Sequence, residues 1–199
     1  MGRPAKTDRQ AVIRAGLALA DEQGLASVTM QAVADRLGVT PMALYRHVAN
    51  KADLLDGLVE ELLTESLPPG PAEGPRPPSP PESEPAADDD TWNDRLTATA
   101  TAVRAAAARH PSVFPLLLQR PATTPGALRV RQGIYEALTR AGVDPQQVPR
   151  TERLISTAIL GYAASEAAGR FAQHSRRDRN ADFTQLLDML AQFIRGLWI

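Results

Sequence analysis

The chain is 199 residues long, 43% hydrophobic and 23% charged, with no cysteine and a net charge of −1, a composition that allows one sizeable core or two small ones. The lack of cysteine excludes disulfides and thiolate metal sites and suits a reducing compartment. No window reaches the roughly 18 apolar residues of a membrane span, and MGRPAKTDRQ leads into no signal-peptide core, so a cytoplasmic chain without a membrane segment is expected.

Alanine and leucine dominate while aromatics are only 5%, which favours helix throughout. A first helix is predicted from about Asp8 to Gln23, with Val12, Ala15, Leu17, Leu19 and Ala20 as its apolar stripe and Gly24 as its stop. A second spans Met30 to Leu37 behind the N-cap Thr29, a third Pro41 to about Val48, and a fourth Lys51 to about Leu67. Between Pro68 and Pro85 nine of eighteen residues are proline, so no helix or strand persists there. With the following AADDD this stretch is expected to be a solvated, disordered linker. Beyond it, helices are predicted at Trp92 to Arg109, in the short apolar piece from Pro111 to Gln119, at Pro125 to Arg140, and at residues 150–172 and 182–198. The last two would be joined by the charged turn HSRRDRNAD. The chain is therefore expected to be all-α: an N-terminal three-helix domain at 1–50, a connecting helix at 51–67, a linker at 68–90 and a helical domain at 91–199.

Charge follows the same partition. Residues 1–51 hold seven Lys/Arg against four acids, residues 52–90 one Arg against eleven acids, and residues 91–199 fourteen Arg against eight. A basic N-terminal lobe is masked in the total by an acidic stretch. In the tail, Arg3 and Lys6 suit either a solvated terminus or an arm reaching into a minor groove.

The informative stretch is residues 29–51, TMQAVADRLGVTPMALYRHVANK. Val33 and Leu37 lie four apart and face inward, as do Leu44 and Val48. Ala34 is small where two helices approach, Gly38 supplies a positive φ, Val39 plugs the corner, and Thr40–Pro41 opens the next helix. Thr40, Pro41, Met42, Tyr45, Arg46 and His47 are left on the outer surface or rim. Two short helices joined by a glycine turn make a helix-turn-helix, whose second helix can enter a major groove. Asn50, three before Asp53, resembles a capping box that fixes the start of the fourth helix, where N–H groups and the dipole favour a phosphate.

Residues 8–62, with GLASVTMQAVADRLGVTPMALYRHVANKADLL, resemble the DNA-binding domain of TetR-family regulators. The LYRHVANKADLL block is similar to the tetracycline-repressor branch. The resemblance implies a homodimer on a palindromic double-stranded DNA operator. It places Thr29 and Lys51 on phosphates, Gln31 near a base edge, Thr40, Pro41 and Met42 at the groove floor, and Tyr45 and His47 on the DNA backbone. Arg46 stands where the tetracycline repressor carries a bulky aromatic, and would reach a guanine or a phosphate. Each has a plainer reading: Tyr45 as a packing residue, Gln31 as merely solvated, His47 as structural.

No catalytic motif or metal-ligand spacing accompanies these residues, so no enzyme activity and no cofactor are expected. Leu154, Ile155, Ala158, Ile159, Tyr162, Ala163 and Ala167 keep a helical period, as do Leu186, Leu187, Leu190, Phe193, Ile194 and Leu197. Such helices pack within one chain or, as the resemblance implies, form a four-helix dimer interface. The earlier helices would enclose a pocket for a small-molecule effector, with Val103, His110, Phe114, Leu117, Tyr135 and Tyr162 as candidate lining residues or as plain core. The leading expectation is a ligand-responsive repressor; the rival is an all-α small-molecule-binding protein or enzyme without DNA binding. A floppy linker cannot push. Shortening residues 70–85 is therefore expected to leave operator binding and its release nearly intact; a mobility-shift assay showing loss of release alone would make the linker part of the switch.

Overall fold

A computed structural model describes residues 8–66 and 91–198; the expected linker at 68–90 and the tail with Arg3 and Lys6 lie outside the described residues. All regular structure among the described residues is helical: α1 (Arg9–Gln23), α2 (Met30–Leu37), α3 (Pro41–Leu44), α4 (Lys51–Ser66), α5 (Thr91–Arg109), α6 (Leu116–Gln119), α7 (Pro125–Arg140), α8 (Val148–Ala167) and α9 (Arg176–Arg195). Single 3₁₀ turns at Leu25–Ser27 and Gly196–Trp198 complete the set.

Leu54, Leu58 and Leu62 of α4, spaced by one helical turn, are fully buried. α4 packs against α1 on one side and against α5, α6 and α7 on the other. Gly57 lets α1 come close: a Cβ built there would lie 2.0 Å from Ile13 Cδ1. α5 is the centre of the C-terminal body, packed against α4, α7 and α8, with Trp92, Leu96, Ala100, Ala106 and Ala107 turned inward. At its far end His110 Nδ1 lies 2.9 Å from Asp21 Oδ2 of α1, tying the body to the N-terminal lobe.

Several boundaries differ from expectation, among them the start of α6, where residues 111–115 are turns. α3 ends at Leu44, not Val48, because the amides of Arg46 and His47 bond three residues back, to the Ala43 and Leu44 carbonyls. The His47 carbonyl is meanwhile taken by the Arg9 guanidinium at 2.8 Å. α8 begins at Val148 and ends at Ala167, and residues 168–173 form turns. The charged run HSRRDRNAD is mostly helix, not turn. Ser175 Oγ accepts from the Asp178 N–H while Asp178 accepts from the Ser175 N–H, so a capping box starts α9 within the run.

α5, α8 and α9 meet at a charged and aromatic joint. Glu166 accepts from Arg104 at 2.6 and 2.7 Å and from Arg179 at 3.2 Å. The Arg104 guanidinium lies 4.7 Å from the Phe183 ring centroid, and Tyr162 sits about as close to Phe171 as to Phe183, its hydroxyl donating to the Arg179 carbonyl. The Arg104 hydrogen bonds hold the Glu166 carboxyl below its usual range, against the opposing effect of burial. A depressed carboxylate stabilises the fold above its unfolded value, near 4.3, and that contribution is lost as pH falls through the lowered native value. Glu166→Gln should therefore cost about 2 kcal/mol at neutral pH. Urea unfolding of the two proteins should converge only as pH falls through that lowered native value; a gap unchanged throughout the acid range would contradict this.

Candidate nucleic-acid interface

The helix-turn-helix is built by short-range signals. Thr29 Oγ1 accepts from the Ala32 N–H at 3.0 Å and so caps α2. Gly38 sits in the left-handed region at φ 66°, its N–H bonding back to Ala34 and Asp35, and Val39 bonds to the Ala34 carbonyl. Pro41 occupies the first turn of α3, where its missing N–H costs nothing. Val33, Ala34, Leu44 and Val48 are fully buried, which fixes the rotation of both helices.

With those residues inward, the predicted DNA contacts fall on the outside. Thr29, Gln31, Thr40, Met42, Tyr45, Arg46 and Lys51 are exposed, and Pro41 and His47 are half-buried. Met42 is 73% and Tyr45 49% exposed, far more than a packing role requires. The Thr40 side chain makes no capping bond. Gln31 Nε2 donates to Asp35 at 2.7 Å, so its amide must leave Asp35 to meet a base with both donors. Arg46 and Lys51 form no ion pair with a described residue.

Sequence reasoning missed the brace behind this surface. Arg9 forms a two-point ion pair with Asp53, at 2.6 and 3.1 Å, and also donates to the His47 carbonyl. One guanidinium thus joins α1, the end of the recognition segment and the start of α4. Asn50 Oδ1 accepts from the Asp53 N–H, as a cap should. The reciprocal bond runs to the Ala49 N–H rather than to that of Asn50. The Arg9 hydrogen bond lowers the Asp53 carboxyl, and the bond from Ala49 adds to it. Asp53 itself therefore occupies part of the anion-attracting end of α4, and Lys51 carries the positive charge there. Nothing local connects Arg9 with a residue 44 positions away.

A cavity of about 240 Å³ lies in the C-terminal body between α4, α5, α7 and α8. Of the six candidate pocket residues, Val103 and Leu117 line it. His110 faces Asp21, Phe114 is fully buried in the core, Tyr135 packs on the core and Tyr162 belongs to the joint with α9. Wall residues that the sequence did not suggest include Leu63, Val130, Ile134 and Glu152.

Residues 12–58 match the family described as "Bacterial regulatory proteins, tetR family", and residues 84–194 match "Tetracyclin repressor-like, C-terminal domain". The chain belongs to the TetR family. It is a helix-turn-helix transcriptional regulator, as the resemblance implied. It is 31% identical over 166 residues to the tetracycline repressor protein class A from transposon 1721 of Escherichia coli, covering 82% of this chain and 69% of that one. An HTH-type transcriptional regulator of Saccharopolyspora erythraea is 27% identical over 203 residues, covering 93% of this chain and 79% of that one. A TetR variant from Acinetobacter baumannii AYE, solved in complex with minocycline, superposes with a TM-score of 0.73 at 27% identity, covering 98% of this chain and 99% of that one.

The TetR frame separates residues that hold the reading head from those that read. Arg9→Ala should weaken binding to all DNA sequences alike, whereas Arg46→Ala should alter preference among operator variants, by about 1–3 kcal/mol at one base pair if Arg46 meets a guanine. Binding curves on a set of single-base operator variants distinguish them; an unchanged preference for Arg46→Ala removes it from the base-reading set.

Proposed function

We propose that this TetR-family protein is a homodimeric repressor, held on a palindromic operator by one recognition segment per subunit and released by a small molecule entering the cavity. One observation carries the reading: α4 takes part in both sites. Its first turn braces the recognition segment through Asp53 and Arg9, and its Leu63 is part of the cavity wall. Between them, Glu60 accepts the Gly126 N–H at 2.6 Å and pairs with Arg129 at 3.2 Å, both at the start of α7. Asp56 pairs with Arg120 at 2.7 Å beside α6. A ligand that moves α7 or α6 moves what α4 is fastened to, and with it the spacing of the two recognition segments.

In this reading Thr29 and Lys51 hold phosphates, Tyr45 and His47 hold the DNA backbone, Gln31 approaches an adenine edge, and Thr40, Pro41 and Met42 meet the groove floor. The dimer forms through α8 and α9, where Leu154, Met189 and Phe193 are exposed large apolar side chains. The protein acts by binding rather than catalysis, in the cytoplasm. The names of its relatives support repression and a small-molecule ligand: one is a tetracycline repressor and another was solved with minocycline.

Footprinting on the DNA flanking its own gene is the test. Protection of a two-fold symmetric site is expected, with half-sites about 34–36 Å apart and an affinity that falls steeply with salt. Absence of protection, or an affinity flat in salt, would sink the reading.

A further inference from the structure

Glu152 stands out among the cavity residues. It is 7% exposed, it lines the cavity from α8, and its side chain makes no hydrogen bond or ion pair with a described residue. Around it the wall is largely apolar, with Ala100, Val103 and Ile159 among its residues. Its carboxylate oxygens are not sealed in the core; they open onto the cavity, where a ligand's donor or cation can take the place of water.

Of the hydroxyls on the wall, Thr157 is exposed, and Thr99 and Ser156 do not supply such a donor. Thr99 Oγ1 donates to the Arg95 carbonyl at 2.9 Å, and Ser156 Oγ donates to the Glu152 carbonyl at 2.8 Å. Each hydroxyl spends its one proton on its own helix and offers only lone pairs to the cavity. The cationic members of the wall, Arg131 and Arg153, are half-buried and exposed respectively, so solvent screens them more than it screens Glu152. Among the fully buried residues of the wall only Glu152 is polar, and it offers acceptors and no donor.

We infer that the cavity selects an apolar ligand bearing an amine or comparable cationic donor, and that the Glu152 carboxylate is the group that receives it. This rests on the effector reading of the cavity and adds the chemical class of the effector. Shape and the apolar wall supply much of the affinity; Glu152 decides which head group may enter.

Three probes sharing one apolar body test it: 2-naphthylmethylamine, 2-acetylnaphthalene and 2-naphthoate, titrated calorimetrically into the full chain. The amine should bind about tenfold or more tightly than the other two, the scale of one charge-assisted hydrogen bond. Glu152→Gln should abolish that advantage and leave the neutral probe unchanged, while Glu152→Asp, which keeps the charge but withdraws it, should lose only part. Equal affinities, a preference for naphthoate, an amine preference that survives Glu152→Gln, or no binding of any probe overturns the assignment. The effector reading fails differently. Probes that bind with Glu152 selectivity yet leave operator DNA bound would count against the reading and not against the choice of head group, whereas binding that survives Ala127→Phe filling the cavity overturns the assignment itself.

Discussion

α4 has to pack against the N-terminal helix α1 and against α5, α6 and α7 at once, and most of the molecule is arranged around that constraint. Leu54, Leu58 and Leu62 are fully buried, and Gly57 brings Ile13 of α1 against its backbone. Each buried leucine contributes about 1.5–3 kcal/mol, whereas an exposed ion pair contributes about 0–1 kcal/mol. Apolar packing therefore sets where α4 lies. The ion pairs along it, Arg9–Asp53, Asp56–Arg120 and Glu60–Arg129, set what is fastened to it. That division lets one helix be firmly held yet still change partners at its polar edge.

The same bookkeeping applies to the charge of the N-terminal lobe. Its excess of basic residues suggests a broad attraction for DNA, but several of those cations are engaged within the protein. Arg9 is bound to Asp53, Arg36 makes a two-point pair with Glu22 at 2.6 and 2.7 Å, and Arg14 lies 3.8 Å from Glu61. Arg46 within the recognition segment and Lys51 just after it have no such partners among the described residues. Attraction is thus concentrated where the groove and its phosphates would lie, and the remaining arginines hold the scaffold that aims these two.

What could be read from the sequence was what is encoded within a few residues. Thr29, Gly38, Pro41 and the four-residue spacing of Leu44 and Val48 act locally, and the helix-turn-helix followed from them. Ser175 and Asp178 form an equally local signal, but it was hidden among charged residues that looked like a turn. The end of α3 was not legible, because the three-residue bonds made by the Arg46 and His47 amides leave the apolar spacing of Leu44 and Val48 unchanged. Nor was the cavity. His110, Phe114, Tyr135 and Tyr162 are the aromatic and titratable side chains that a sequence draws the eye to, and tertiary packing assigns each another partner. The wall is made instead by Leu63, Val130, Ile134 and Glu152, whose spacing is that of ordinary amphipathic helices.

The start of α7 shows how occupancy of the cavity can reach DNA without passing through residues 68–90. A helix begins with N–H groups that need acceptors. Thr124 Oγ1 takes the Ala127 N–H at 3.3 Å, and Glu60 of α4 takes the Gly126 N–H at 2.6 Å. The capping of α7 is thus divided between its own residue and a residue of α4. Val130 and Ile134, one and two turns further along α7, form part of the cavity wall. A ligand pressing on them can shift α7 along or about its axis only by stretching the Gly126–Glu60 bond or by taking α4 with it. Its power to do so equals the difference between its affinities for the two arrangements. A ligand that merely filled existing space would bind and signal nothing. For the cavity to act as the proposed effector site, its neighbours must prefer one position when empty and another when filled, and a hydrogen bond shared between two helices is a contact that can tell those positions apart.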